Sequence, residues 1–319
     1  MLDILKTDKT IRWAALAFLA LALSGLVIDA WILNNLMFGL ARGLAVLGLL
    51  VLWRTGLISF GHALYFGIGA YTVALLDTFA GVTDLVLRLG VAVAASAAIG
   101  FLLGFILRKY RGIFFAMLSL AFSMVLYGIL VKIEALGSTD GFSVSATTIF
   151  GWKPETKFPL FCAIVATAVV AIVCVQFYLR TTLGHLTTAI RDNELRVEYL
   201  GYSVAKAIHI KYVISAALTG AAGAMLATAL GQVDPDSMVN WTISGELVFI
   251  TIMAGPGNVV APFIGGIVFE FLRTYAFEWA PQAWQLIVGG ALLAIIFFLP
   301  RGIWSIFEKL MARIKGSQG

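Results

Sequence analysis

Apolar runs close to 20 residues long recur along the whole chain. Ten segments can be placed, at 13–33, 36–53, 58–76, 86–107, 112–131, 159–179, 207–230, 245–255, 261–279 and 283–300. At a rise of about 1.5 Å per residue, a helix of roughly 20 residues matches the thickness of a bilayer's hydrocarbon core. Backbone in lipid must satisfy its own hydrogen bonds, which leaves helices and closed barrels, and a barrel would show short alternating segments instead. Of the 319 residues 61% are hydrophobic and 12% charged, about half the charged share of a soluble domain. The sequence therefore predicts an all-α, polytopic integral membrane bundle of about ten transmembrane segments. Residues 1–319 are expected to form a single transmembrane domain.

Ten crossings put both termini on one side, and the basic residues choose it. Sixteen Lys and Arg fall on the side of the termini, among them Lys6, Lys9, Arg12, Arg54, Arg108, Lys109, Arg111, Arg191, Lys309, Arg313 and Lys315. Arg88, Lys132, Lys153, Lys157 and Arg273 fall on the other, with Arg42 inside a span. The positive-inside rule then makes both termini cytoplasmic. Basic residues gathered at span ends also argue against nucleic acid as a partner, despite a net charge of +5. Lys6, Lys9 and Arg12 before an apolar run resemble a signal peptide, but no small-residue cleavage site follows, so an uncleaved first helix is expected. Asp77, Asp84, Asp140, Asp234 and Asp236 lie in loops of the opposite face, where they either meet an outside partner or serve the chain's own loops.

Residues 181–206 form a polar island between apolar runs, on the cytoplasmic side. Leu183, Leu186, Ile190, Val197 and Leu200 recur in it at helical spacing, a narrow apolar stripe, and Arg191, Asp192, Glu194 and Glu198 lie away from that stripe. A short amphipathic helix here has a surface to present outside the bilayer; an ordinary solvated loop helix is the plainer alternative.

Residues 245–279 are the least regular part. Gly255, Pro256, Gly257 and Pro262 break any continuous helix, giving either two shortened helices meeting at a Gly-Pro-Gly turn or a re-entrant hairpin. Irregular backbone at membrane depth needs protein or a water-filled cavity around it, so this segment is expected inside the bundle near a pathway. Two polar strips are candidate linings for that pathway: Ser59, His62, Tyr71 and Thr72 on the third segment, and Ser119, Ser123 and Tyr127 at i, i+4 spacing on the fifth. Gly61, Gly67 and Gly69 beside the first strip also suit close helix packing.

Chemistry-bearing motifs are missing. No Gly-Lys dipeptide occurs, so no P-loop; His62, His185 and His209 lack metal-ligand spacing; and there is no His-Glu-x-x-His motif or nucleophile elbow. Cys162 and Cys174, twelve positions apart on one helix, are about 18 Å from each other, beyond disulfide reach. Asp29, Arg42, Glu246 and Glu270 are the ionisable residues within spans, with His62, and such residues are functional candidates. Asp29 with Arg42, and Glu270 with Arg273 at i, i+3, are the pairings the sequence suggests.

Six stretches resemble, in order and spacing, the longer of the two paired permeases of bacterial ABC importers for branched-chain and other hydrophobic amino acids. They are GLISFGHALYFGIGAY (56–71), RGIFFAMLSLAF (111–122), GSTDGFS (137–143), LGHLTTAIRDNELRVEYLGY (183–202), AALTGAAGAMLA (216–227) and ELVFITIMAGPGNVVAPFIGG (246–266). The resemblance runs from about Asn34 to Trp304. It implies a non-catalytic subunit of the bacterial inner membrane in which residues 181–206 are the coupling loop that docks an ATPase. The positions carrying that role would be Leu183, Gly184, Leu186, Ala189, Ile190, Arg191, Asn193, Glu194 and Val197. His185 and Glu198 depart from the family pattern, where a basic and a small residue are usual. The resemblance further implies a second permease, two ATP-binding cassette ATPases holding ATP and magnesium, and a periplasmic solute-binding protein. This chain itself would bind no cofactor or metal. Urea, short amides or aromatic carboxylates are alternative cargoes of the same architecture. An ion-coupled secondary transporter is the reading from another class.

Overall fold

Small and polar residues cut the apolar sequence into helices, and the computed structural model, which describes residues 9–308, shows where. Helix α1 (Lys9–Ser24) ends at a turn, and α2 (Ala30–Trp53) follows with Asp29 as its N-cap residue. The break falls at 25–29 rather than at the expected boundary near residue 34, because Asn34 and Asn35 are tolerated inside α2. Lys157 Nζ donates to the Asn34 side chain at 3.1 Å and Thr274 Oγ1 to the Asn35 side chain at 3.1 Å.

Next come α3 (His62–Ala80), α4 (Leu85–Leu107) and α5 (Gly112–Lys132). A single 3₁₀ turn (Glu134–Leu136) and a two-residue strand β1 (Phe142–Ser143) lead to α6 (Phe158–Leu179). The polar island folds as α7 (Thr182–Asp192) and α8 (Glu194–Tyr199). Then follow α9 (Val204–Leu230), β2 (Gln232–Val233), α10 (Pro235–Met238), α11 (Trp241–Ala254), α12 (Ala261–Trp279) and α13 (Trp284–Phe298). Nine of the ten expected segments each coincide with a helix, while 13–33 covers the end of α1, the break and the start of α2. Among the described residues seven stretches are long and apolar enough to cross a membrane; α1, α12 and α13 are outside that set, α13 for its 15 residues.

The core is built around α2 and α9. Helix α9 packs against α2, α3 and α4, and α12 lies along α2. Small residues set these distances. Gly69 of α3 sits directly against the Gly220 carbonyl of α9, and Gly39 of α2 meets the α12 backbone at Ile267, where even a methyl group would stand 2.8 Å from Cα. By contrast α4 and α5 leave most of their apolar residues partly or fully exposed, a face for lipid or another subunit.

A strap crosses the end of the bundle away from α7 and α8. Strands β1 and β2 pair antiparallel, Phe142 opposite Val233. The carboxylate of Asp77 accepts hydrogen bonds from Ser145 N (2.7 Å) and Ser145 Oγ (2.6 Å), and pairs with the fully buried Arg88 guanidinium. Arg88 also donates to the Val82 carbonyl (2.7 Å) and to Thr147 Oγ1 (3.2 Å). Of the five acidic loop residues, four therefore serve the chain's own structure. Asp84 caps α4 at Val86 N and Leu87 N, and Asp234 caps α10 at Ser237 N. Asp236 accepts from Tyr127 OH at 2.7 Å. Desolvation works to raise the Asp84 carboxyl, but the N–H groups of Leu87 and Val86 prevail and hold it below the ordinary range.

At the Gly-Pro-Gly break, α11 ends on Gly255, whose φ of +84° suits glycine, and Pro262 opens α12. Arg54 donates to the Pro256 carbonyl through Nε (3.0 Å) and Nη2 (2.7 Å), and Ile303 N bonds the Met253 carbonyl at 2.8 Å. The irregular backbone is thus satisfied by protein. Only α11 is short: α12 runs 19 residues, about 28 Å.

Candidate functional site

Two capping side chains define the island. Thr181 Oγ1 accepts from Gly184 N at 3.3 Å to start α7, and Asn193 Oδ1 accepts from Arg196 N at 3.0 Å to start α8. Asn193 has extended backbone, so the two helices meet at an angle set by that residue.

The stripe divides in a way the spacing did not foretell. Ile190 and Val197 are buried against the chain's own Leu52, Leu57, Leu107 and Ile208, with Leu183 and Leu186 packed on the same cluster. Gly184 backs onto the Tyr178 carbonyl. Leu200 is exposed, and so are Leu195 and Tyr199, which the stripe did not include. A short island tied at both ends finds its nearest apolar surface on its own bundle. Its outward edge is Leu195, Tyr199 and Leu200, beside exposed Ala189, Arg191 and Asn193.

Glu194 fixes the pair to the bundle: its carboxylate accepts from Arg111 Nε at 2.6 Å, while Arg111 Nη1 donates to the Arg108 carbonyl at 2.6 Å. The aliphatic part of Arg191 lies over Gly56, and its guanidinium faces Asp192 at an exposed 3.7 Å.

The two polar strips knit helices together. His62 Nε2 and Ser215 Oγ of α9 are 2.7 Å apart, and Tyr65 OH donates to Tyr212 OH at 2.9 Å one turn on. Ser59 Oγ accepts from Gly61 N at 3.3 Å, and Thr72 bonds the Ile68 carbonyl of its own helix. Tyr71 is buried edge-on to Phe142. Ser119 Oγ accepts from Phe60 N at 3.2 Å, joining α5 to the start of α3, while Tyr127 reaches Asp236 as described above. Ser123 is buried, its hydroxyl without a hydrogen-bond partner among the described residues.

A cavity of about 530 Å³ lies elsewhere, between α2, α9, α11, α12 and α13. Arg42, Glu246, Glu270 and Arg273 all line it. Arg42 pairs with Glu270 and lies 3.6 Å from Glu246, so the pairings suggested by sequence are replaced. Asp29 sits about 20 Å along the chain from Arg42, is exposed, and takes no part. Arg273 places its guanidinium over the Trp284 ring, 5.6 Å from the centroid. The signal that could have found the cavity was the presence of four ionisable residues at similar depth on three helices. The partners, up to 228 positions apart, were not deducible from spacing.

Residues 31–297 match the family described as branched-chain amino acid transport system / permease component. The chain is 28% identical over 286 residues to the high-affinity branched-chain amino acid transport system permease protein LivM of Escherichia coli (strain K12), covering 81% of this chain and 67% of that protein. LivM of Salmonella typhimurium gives the same figures. The probable branched-chain amino acid transport permease protein LivH of Methanocaldococcus jannaschii is 25% identical over 314 residues, 89% of this chain and 93% of its own length. No solved structure matches the chain. With most of its length matched, this multi-pass membrane protein belongs to the family of permease components of branched-chain amino acid transport systems.

Proposed function

We propose that this chain forms half of the membrane path of an ATP-driven ABC importer in the bacterial inner membrane. Its cargo is branched-chain or other hydrophobic amino acids handed over by a periplasmic binding protein. ATP and magnesium are held by two partner ATPases, and a second, homologous permease completes the path; both LivM and LivH are named among the relatives. Helices α1, α12 and α13 cross with the seven apolar stretches, giving ten crossings with both termini and residues 181–206 cytoplasmic. The excess of Lys and Arg on that side supports this orientation. Several terminal basic residues (Lys6, Lys309, Arg313 and Lys315) lie outside the described residues.

The observation that carries the reading is the α7–α8 pair. It is pinned to the bundle by Ile190, Val197 and the Arg111–Glu194 ion pair, yet exposes Leu195, Tyr199 and Leu200 on its outer edge. A coupling element needs both properties: stiffness toward the spans and an anchor for the ATPase. The polar strips between α3, α5 and α9 then lie where helices would shift against one another during transport.

Replacing both Leu195 and Tyr199 by Asp is expected to abolish copurification of the ATPases and amino-acid uptake. The two permeases should still reach the membrane together. Normal uptake in that variant would remove the docking role. The same architecture carrying urea, short amides or aromatic carboxylates is distinguished by the solute that competes for uptake.

A further inference from the structure

Of the five ionisable residues lining the cavity, Asp236 already accepts from Tyr127 OH, and the other four are not equivalent. Arg42 and Glu270 are both more than nine-tenths buried and pair with each other. Glu246 and Arg273 are tied less directly. Glu246 Oε2 is buried without a hydrogen bond among the described residues, its nearest cation being Arg42 at 3.6 Å. Arg273 forms no close ion pair among the described residues, feels Glu246 and Glu270 only at longer range, and rests on the Trp284 ring. An acid and a base that share one cavity without a direct ion pair between them can receive a ligand carrying both charges.

The remaining wall is apolar and aromatic, with Phe38, Leu226, Ile243, Phe277 and Trp284. The volume of about 530 Å³ falls inside the range of roughly 300–1,000 Å³ typical of small-molecule sites. Hydrogen-bonding groups are few beside the charges: Thr242 and Gln285 line the cavity, while Thr274 and Asn35 bond each other at 3.1 Å. Leu226 lies 22 residues beyond Val204 on α9, so the cavity is about 33 Å along that helix from the α7–α8 pair. It therefore occupies the half of the bundle remote from that pair.

We propose that this cavity binds a free α-amino acid with an apolar side chain, its ammonium on Glu246 and its carboxylate on Arg273. The proposal rests on the importer reading given above and adds a place for the cargo within this chain. Arg42, already paired with Glu270, offers Glu246 only a shared cation at 3.6 Å. A dicarboxylate would set a second negative charge among Glu246, Glu270 and Asp236, and a diamine a second positive charge beside Arg42. Both are disfavoured in a partly desolvated site. The aromatic wall receives an aliphatic or aromatic side chain.

The test uses the complete importer, both permeases with their ATPases, in nanodiscs without the binding protein. Saturation-transfer NMR reads weak binding of leucine, of 4-methylpentanoate (leucine without its ammonium) and of 3-methylbutylamine (leucine without its carboxylate). Leucine is expected to bind at least about tenfold more tightly than either fragment, the scale of one lost charged hydrogen bond. Glu246→Gln should erase the advantage of leucine over the acid and keep its advantage over the amine. Arg273→Gln should do the reverse. Equal weakening of all three ligands in both variants, or wild-type leucine binding in both, overturns the site. If Arg273→Gln does not assemble, Arg273→Lys replaces it and should retain the preference for leucine over the amine; loss of that preference would count against the site. ATP-driven leucine uptake by the wild type, measured with the binding protein present, separates the two readings. Uptake without any leucine preference in the cavity refutes the site alone, whereas absence of both uptake and binding refutes the importer reading with it.

Discussion

Arg42 on α2 and Glu270 on α12 form a buried ion pair across 228 positions of sequence, and Glu246 of α11 lies 3.6 Å from the same guanidinium. One cation thus holds two carboxylates from two other helices. The stoichiometry ranks the variants. Arg42→Ala strands both acids, and breaking a buried pair in this way costs about 3–5 kcal/mol. Glu270→Ala leaves Arg42 with Glu246 and should cost distinctly less. Thermal unfolding in detergent measures the order; a Glu270→Ala variant less stable than Arg42→Ala would contradict it.

The α3–α9 crossing depends on having no side chain at Gly69, whose α-carbon faces the Gly220 carbonyl. Backbone cannot step aside as a flexible side chain can. Gly69→Val should lower stability by about 1–3 kcal/mol or prevent accumulation in the membrane. Gly90 and Gly128 face open space on α4 and α5, and their change to Ala should be neutral or stabilising by up to about 1 kcal/mol. Expression level and melting temperature of the three variants distinguish a packing role from a general intolerance of change.

Asp77 ties the strap to the bundle through Ser145 and Arg88. Asp77→Ala removes all of those acceptors and leaves the Arg88 guanidinium buried without its carboxylate. Hydrogen exchange of residues 142–148 should quicken by about tenfold or more, the size of one or two charged hydrogen bonds. Exchange in α9 should not change. Unaltered exchange in the strap would mean that the β1–β2 pairing alone secures it.

Much of the architecture was legible because lipid imposes it. Nine of the ten apolar segments each became a helix, the first being split by the break at 25–29, and the Gly-Pro-Gly break fell where Gly255 and Pro262 required. The cap residues Thr181 and Asn193 also explain why the island folds as two short helices. What stayed hidden was long-range. The stripe of Ile190 and Val197 was visible, but which surface it covers depends on Leu52, Leu57 and Leu107, far away in sequence. Periodicity reports that a face is apolar and is silent about its partner. The same limit applied to charge: i, i+3 spacing suggested Glu270 with Arg273, while the fold delivers Glu270 to Arg42. Loop acids such as Asp84 and Asp234, candidates for an outside partner, are taken up as helix caps.

Labelled leucine accumulation in proteoliposomes tests the role of the chain as a passive path driven by ATPases. Vesicles containing both permeases, the ATPases and the binding protein should accumulate leucine only when ATP is supplied on the ATPase side. Vesicles containing this chain alone should accumulate none under a proton or sodium gradient. Gradient-driven accumulation by the isolated chain would contradict the account.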